Sequence, residues 1–326
     1  MIRQAHSRMV KEMSSIEQNS IMTGGDGMAG GNKTRGNRIK VWVEAMRLRT
    51  LPVSVAGVIA AMALGKIFGC FRIVPALLCL LFAVLAQISS NFANEYFDYR
   101  DGLDRPGRVG PRRGVTEGDI TPQSMLRATI ASLAAACITG CVLIIWGGWE
   151  LIPVGLLIAG GVFAYSAGPY PLSHHALGEV AVVIFFGVIP VNMTYYIMGH
   201  QFGETILMVS LAIGLMGANI LLVNNYRDIE DDRAVGKHTI ATLFGGKCAS
   251  TLYLLNGWIA MMLTAPLFIE LPLAIWAAPA LYLGCHTMLW CALLRRRGRE
   301  LNKLLGMTAL NMLAFTLVFA LIVFVI

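Results

Sequence analysis

The sequence predicts an all-α, polytopic membrane protein with nine transmembrane helices, its N-terminus in the cytoplasm and its C-terminus outside. Three observations carry that prediction. Of 326 residues, 56% are hydrophobic and only 14% are charged, against about a quarter charged in ordinary soluble domains. Uncharged runs recur at lengths that cross a bilayer, which takes roughly 20 residues at a rise of about 1.5 Å each. Nearly all basic residues then fall on one side of the resulting serpentine.

Taken in order, residues 1–38 are polar, rich in Gly, Ser, Met and Lys, and without the apolar core of a signal peptide. They are expected to be disordered, leaving 39–326 as the membrane domain. In IKVWVEAMRLR, Ile39, Trp42, Val43 and Met46 recur at helical spacing opposite Lys40, Glu44 and Arg47. That pattern predicts a helix lying in the cytoplasmic interface before Pro52 turns the chain into the bilayer. The first span, 50–65, is short and reaches across once Arg49 and Lys66 snorkel to the interfaces. The others are 73–94, 128–149, 151–173, 180–199, 205–226, 248–269, 271–294 and 304–326. Connections on the external face are short, around Gly69, 147–150, 199–204 and Glu270. Those on the cytoplasmic face are longer and polar, which is where a water-facing site would be built.

Orientation follows from the 26 Lys and Arg residues. Nine precede residue 50, six lie between Arg100 and Arg127, four between Arg227 and Lys247, and five between Arg295 and Lys303. Only Lys66 and Arg72 fall on the other face, so the positive-inside rule places the N-terminus in the cytoplasm. The net charge of +7 therefore reports membrane orientation and lipid contact, not nucleic-acid binding. Seven cysteines without a CxxC pair indicate neither a disulfide framework nor a zinc site.

Polar chemistry gathers at two helix ends. In NFANEYFDYRDGLD (91–104), Asn91, Asn94 and Asp98 continue a stripe begun by Gln87, at spacings of four, three and four. A stripe of that kind within hydrocarbon must face a cavity or other helices, because unpaired polar groups against lipid are costly. In NNYRDIEDD (224–232), Asn224, Asp228 and Asp232 repeat the device at the end of helix six, about 130 residues later. One acid at a membrane helix end is commonly an interfacial anchor. Two such stripes at corresponding ends read instead as facing half-sites. Acids mixed with Arg112, Arg113 and Lys237 point to phosphate bridged by Mg²⁺, which takes oxygen ligands from one or two carboxylates plus phosphate.

The pattern NxxNEYxDxxxGxD, with Asn91, Asn94, Glu95, Tyr96, Asp98, Gly102 and Asp104, is followed by RVGPRRG and resembles the first aspartate motif of the UbiA-type intramembrane prenyltransferases. NNYRDIEDDRAVGKHTIA, from Asn224, resembles the second. Within that superfamily both are closest to the 1,4-dihydroxy-2-naphthoate polyprenyltransferase branch of menaquinone synthesis. YSAGPYPLSHHALGEVAVVIFFG (165–187) and LNKLLGMTALNML (301–313) fit the same branch. The resemblance runs from about Ile39 to the C-terminus. It implies nine helices around a central cavity under a cytoplasmic cap, in a bacterial cytoplasmic membrane. It also implies Mg²⁺-dependent transfer from a polyprenyl diphosphate to 1,4-dihydroxy-2-naphthoate, with loss of the ring carboxylate, giving demethylmenaquinone. By position, Asn94, Asp98 and Asp104 would bind Mg²⁺ and diphosphate from one side, and Asp228 and Asp232 from the other. Asn224 extends the second stripe, while Arg113 and Lys237 would contact diphosphate oxygens. Two departures stand out: Glu95 replaces the branch's usual Asp, and Asp101 an often-present Lys.

An allylic carbocation is quenched by water, so such a reaction needs a dry cavity under a wet cap. Loss of a phenolic proton would help the acceptor attack. Asp104, Glu95, Tyr165 and Glu179 are all candidates for taking it, and the sequence does not choose among them. His174 and His175 read as a solvated loop, Arg295 to Arg299 as anchors to anionic lipid, and His286 as a hydrogen bond to a neighbouring helix. Two other readings remain: a sister prenyltransferase for a 4-hydroxybenzoate- or homogentisate-like acceptor, or a cation-coupled transporter. Transporters place ionisable groups near the midplane on broken helices, and no Asp, Glu, Lys or Arg interrupts the middle of any run here.

Overall fold

The computed structural model describes residues 30–104, 109–269 and 273–325. The polar segment through residue 29, Arg108 of the first motif's tail and the Glu270 connection lie outside the described residues. Residues up to Val41 form one compact unit and Trp42–Ile326 a second. The described end of the first unit is helical, within α1 (Gly30–Ala45).

Every regular element among the described residues is a helix; one isolated bridge pairs His175 with His238. The order continues with α2 (Leu51–Ile67), α3 (Ile73–Arg100), α4 (Pro122–Gly147) and α5 (Leu151–Ala164). Then come α6 (Gly178–Val182), a π-helical stretch (Val183–Val188), α7 (Ile189–Gly199), α8 (Glu204–Arg227) and α9 (Ile229–Ala234). The last three are α10 (Ile240–Ile269), α11 (Ala277–Arg295) and α12 (Leu301–Val325). Eight helical segments among the described residues are long and apolar enough to cross a membrane. Their apolar stretches fall on eight of the nine expected spans.

The remaining expected span, 151–173, is shorter as a helix. α5 stops after 14 residues at Ala164, or about 21 Å at 1.5 Å per residue. Gly168 at φ +96° and the prolines at 169 and 171 end it there. A second difference lies in α10, where Gly245 takes a non-helical φ of 83°. The membrane-crossing part of that helix therefore starts beyond the kink, as the run at 248–269 predicts.

Packing sorts the helices by depth. The apolar window of α8 is 72% buried and that of α4 only 22%, so α8 is central and α4 presents Ile138 and Ile145 outward. Around α8 lie the small, fully buried Ala56, Ala60, Ala61 and Ala63 of α2 and the side chains of α10 and α12. Small residues let helix backbones approach where apolar burial gives no drive, as between helices in lipid. The closest approach is Gly187 against Gly214: a Cβ on Gly187 would collide with the α8 backbone. The π-helical stretch lies just before Pro190, whose ring and missing N–H disrupt the bond to the carbonyl of Phe186. That carbonyl instead faces Gly57 of α2, 3.1 Å from where a Cβ would sit.

Gly187→Ala should therefore cost about 1–3 kcal/mol by overpacking, read as a lower thermal midpoint in detergent. Gly155→Ala, with nothing within 4 Å of its added Cβ, should leave the midpoint unchanged.

Candidate active site

Both motifs end their helices by the same backbone device. At the end of α3, Gly102 at φ +71° lets its own N–H reach the Tyr99 carbonyl (3.1 Å) and Leu103 N–H reach that of Asp98 (2.9 Å). At the end of α9, Gly236 at φ +70° does the same, with Gly236 N–H on Arg233 (3.1 Å) and Lys237 N–H on Asp232 (2.9 Å). This is the glycine-terminated helix cap, in which only glycine takes the left-handed position without strain. In each case the aspartate four residues before the glycine accepts the closing bond on its carbonyl. The side chains of Asp98 and Asp232 are thus fixed to matching positions at the two helix ends.

Around Asp98 the expected polar stripe is present on one face of α3. Gln87, Asn91, Asn94 and Asp98 all line one cavity of about 550 Å³. Arg113, from the following loop, collects the first motif's acids. Its guanidinium bonds Asn94 Oδ1 (3.0 Å) and Asp98 (3.2 Å) and pairs with Asp104 (3.1 Å). Arg47 also donates to Asn94 Oδ1 (2.8 Å), and Asn94 Nδ2 donates to Ser166 (2.9 Å). The two departures from the family pattern turn elsewhere. Glu95 is 1% exposed and accepts the Val115 N–H (3.1 Å), pinning the loop that carries Arg113. Asp101 pairs with Arg100 at 2.7 Å on the surface.

The second motif is built on a different arginine. Arg227 forms two bonds of 2.6 Å to Asp228, one of 2.7 Å to Asn224 Oδ1 and one of 2.7 Å to Asn302 Oδ1. Asn302 Nδ2 donates in turn to the Val109 carbonyl (3.2 Å), beside the first motif. The stripe is not one continuous helix, because α8 ends at Arg227 and Asp228 leaves the helical region at ψ 12°. Bonds from Asp228 N–H to Asn224 (3.1 Å) and from Asp232 N–H to Asp228 (2.8 Å) keep the three stacked across that break. Lys237 Nζ lies 3.5 Å from Asp232. Neither the role of Arg227 nor the bridge through Asn302 is visible in the sequence.

The half-sites do converge. Asn94, Asp98 and Arg113 from the first, and Asn224, Arg227 and Lys237 from the second, line the same cavity. Asp104, Asp228 and Asp232 lie behind these residues, each against a cation that lines it. The donor set suits Mg²⁺, being oxygen throughout. Among the described residues no three of His, Cys, Asp and Glu form a protein-only metal cage. A Mg²⁺ held by one or two carboxylates and completed by phosphate oxygens and water needs none.

Away from the charged end, the cavity meets a second one of about 350 Å³ lined almost wholly by apolar side chains of α3, α4, α5 and α7. Gln87, Ser90, Tyr165, Val182 and Phe186 line both and form the junction.

The loop of residues 165–178 is pinned rather than solvated, contrary to the sequence reading of its histidines. Tyr170 stacks on His175 at 3.5 Å, and backbone bonds join Ala176 N–H to His238 (2.8 Å) and His238 N–H to His174 (3.1 Å). The loop is thereby tied to the segment carrying Lys237. Burial, then the nearby Lys237 and His175, push the His174 imidazole down to about 4, so it adds no positive charge near neutral pH. His286 bonds the Leu254 carbonyl of α10 (3.2 Å), as its position inside a helix predicts.

Comparison with known proteins places this architecture. Residues 51–312 match the family model described as the UbiA prenyltransferase family. A 1,4-dihydroxy-2-naphthoate octaprenyltransferase of Mycobacterium tuberculosis is 34% identical over 291 residues, 86% of this chain and 95% of that protein. The enzyme of the same name from Escherichia coli is 37% identical over 215 residues, 64% of this chain and 70% of that one. Among solved structures, an apo UbiA homologue from Aeropyrum pernix superposes with a TM-score of 0.64 at 18% identity, covering 88% of this chain and 99% of its own. A homologue from Archaeoglobus fulgidus bound to GPP and Mg²⁺ gives 0.60 at 17% identity, covering 86% and 99%. With the family match spanning most of the chain and a relative at 34% identity covering 86% of it, this protein belongs to the UbiA prenyltransferase family.

Proposed function

We propose that the protein transfers a polyprenyl group from polyprenyl diphosphate to 1,4-dihydroxy-2-naphthoate in a Mg²⁺-dependent reaction, with loss of the ring carboxylate, giving the quinol form of demethylmenaquinone. The observation that carries this reading is the single cavity lined by both aspartate-motif helix ends, which shares Gln87, Ser90, Tyr165, Val182 and Phe186 with an apolar groove. A diphosphate needs the charged end and a polyprenyl chain needs the groove. The naphthoate acceptor is favoured over a 4-hydroxybenzoate- or homogentisate-like ring by the names of relatives at 34% and 37% identity.

In this reading Asn94, Asp98 and Asp104 hold Mg²⁺ from one side and Asp228 and Asp232 from the other. Mg²⁺ bound there neutralises the diphosphate and makes it a leaving group. Arg113, Arg227 and Lys237 line the cavity and turn toward the diphosphate oxygens as the carboxylates they now pair are taken up. Asn224, held by Arg227 at 2.7 Å, orients that guanidinium. The groove excludes water from the allylic carbon. The basic loops support a site on the cytoplasmic side of a bacterial inner membrane, and in this reading α5 and the turn after it make a ninth span.

Purified protein in detergent should form prenylated naphthalenediol only with Mg²⁺, and EDTA should abolish the product. Asp98→Ala and Asp228→Ala should each lower kcat by about 10²-fold or more, with thermal unfolding still cooperative. Retention of full rate by both variants would disprove the metal–diphosphate assignment. Asn302→Ala, which removes the link from Arg227 to the Val109 carbonyl, should cost about 10–100-fold, as supporting-residue changes at metal sites do, and should raise amide exchange around Val109. An acceptor panel of aromatic acids tests the naphthoate assignment directly.

A further inference from the structure

We propose that Glu179 is the catalytic base that accepts a hydroxyl proton from the aromatic acceptor, an inference that rests on the function proposed above. Glu179 stands apart from the motif carboxylates. It opens α6 and lines the charged cavity, and it is only 6% exposed. Its Oε1 accepts from Asn225 Nδ2 at 2.9 Å, while Oε2 is buried with no protein partner. Asp98, Asp104, Asp228 and Asp232 each pair with Arg113, Arg227 or Lys237 within 3.5 Å. Among the described residues its hydrogen-bonding side-chain partner is the neutral amide of Asn225, with the Lys237 charge also acting on it. A carboxylate so placed is not spent on diphosphate or its cations, and a buried acceptor oxygen without a donor is costly unless a ligand supplies one.

Its position fits the reacting carbon. Glu179, Val182 and Phe186 fall at i, i+3 and i+7, and all three line the charged cavity. Val182 and Phe186 also line the apolar groove, so Glu179 sits one turn above the junction where diphosphate and prenyl chain must part. Gln87, on α3, lines the same junction and also has a buried, unpartnered carbonyl oxygen. Two acceptor atoms without donors on the wall of one cavity match a ring that carries hydroxyl donors. Asn225 neighbours Asn224 on the second motif, so adjacent asparagines divide the work: one fixes Arg227, the other Glu179.

The step balances. Glu179 takes the proton of the hydroxyl next to the carboxylate-bearing carbon as that carbon's electron pair forms the bond to the allylic carbon. The allylic C–O bond breaks, and its electron pair leaves with diphosphate. The ring now holds a ketone β to its carboxylate. Loss of CO₂ returns that bond's electrons to the ring oxygen, and the proton held by Glu179 goes back to it.

The test compares wild type, Glu179→Gln and Glu179→Asp in full-length protein with Mg²⁺, polyprenyl diphosphate and 1,4-dihydroxy-2-naphthoate. The glutamine retains an oxygen for the Asn225 bond and removes only the base. It should lower kcat by about 10²-fold or more, with the affinity for Mg²⁺–polyprenyl diphosphate within about twofold of wild type. The aspartate variant should recover at least about tenfold of that loss. A glutamine variant within about threefold of wild-type kcat overturns the proposal. So does a fall in prenyl diphosphate affinity matching the fall in rate, which would place Glu179 in the diphosphate site. Failure of the functional reading is separate: it appears as wild-type protein that prenylates no aromatic acid.

Discussion

The whole site depends on two guanidinium groups. The side chains of Arg113 and Arg227 are 7% and 1% exposed; Arg113 holds Asp98 and Asp104, which would otherwise repel one another at the end of an apolar helix, and Arg227 holds Asp228. A buried charge left without its partner costs several kcal/mol, so each arginine and its carboxylates stand or fall together. Around Arg113 lie Glu95, Asp98 and Asp104, and a second guanidinium, that of Arg47, binds Asn94 beside them at 2.8 Å. Around the second motif Asp228 and Asp232 are matched by Arg227 and Lys237. Both half-sites thus interleave acids with cations.

Charge alone does not set geometry; backbone does. The spacing Asp-x-x-x-Gly occurs at Asp98–Gly102 and again at Asp232–Gly236, and in both the glycine's positive φ closes the helix onto the aspartate's own carbonyl. Each helix runs two residues past its aspartate, to Arg100 and to Ala234, and the residues beyond the glycine are free to turn inward. Asp104 and Lys237 both use that freedom, reaching Arg113 and Asp232 respectively.

Much of this was legible in the sequence, within a clear physical limit. Hydrophobic run length located the spans, because a bilayer imposes one length on every helix. The 3.6-residue period found the stripe from Gln87 to Asp98, and the structure places all four of its polar residues at one cavity. Periodicity names a face but not what meets it. Asn302 is a lone asparagine at the start of a hydrophobic helix, and nothing around it signals that it joins Arg227 to the Val109 carbonyl. Glu95 follows Asn94 in the same motif, yet it turns to the Val115 N–H, since adjacent helical residues point about 100° apart. α5 falls short of its run because the run continues through Gly168 and two prolines, which carry no charge but end the helix.

The position of the wet–dry boundary follows from one helix. α6, the π-helical stretch and α7 form a single wall that starts with Glu179 at the polar end and runs through Val182 and Phe186 into the groove. Pro190 disrupts regular bonding in that wall, and Gly187 lets it press against Gly214 of α8. α8 itself ends in Asn224 and Arg227, which line the charged cavity. The contact that packs the membrane core thus also sets the height of Glu179 relative to the second aspartate motif. A shift of one residue along either helix would rotate Glu179 out of line with Asn225, its hydrogen-bonding side-chain partner. The small residues in this wall accordingly position chemistry as well as permit packing.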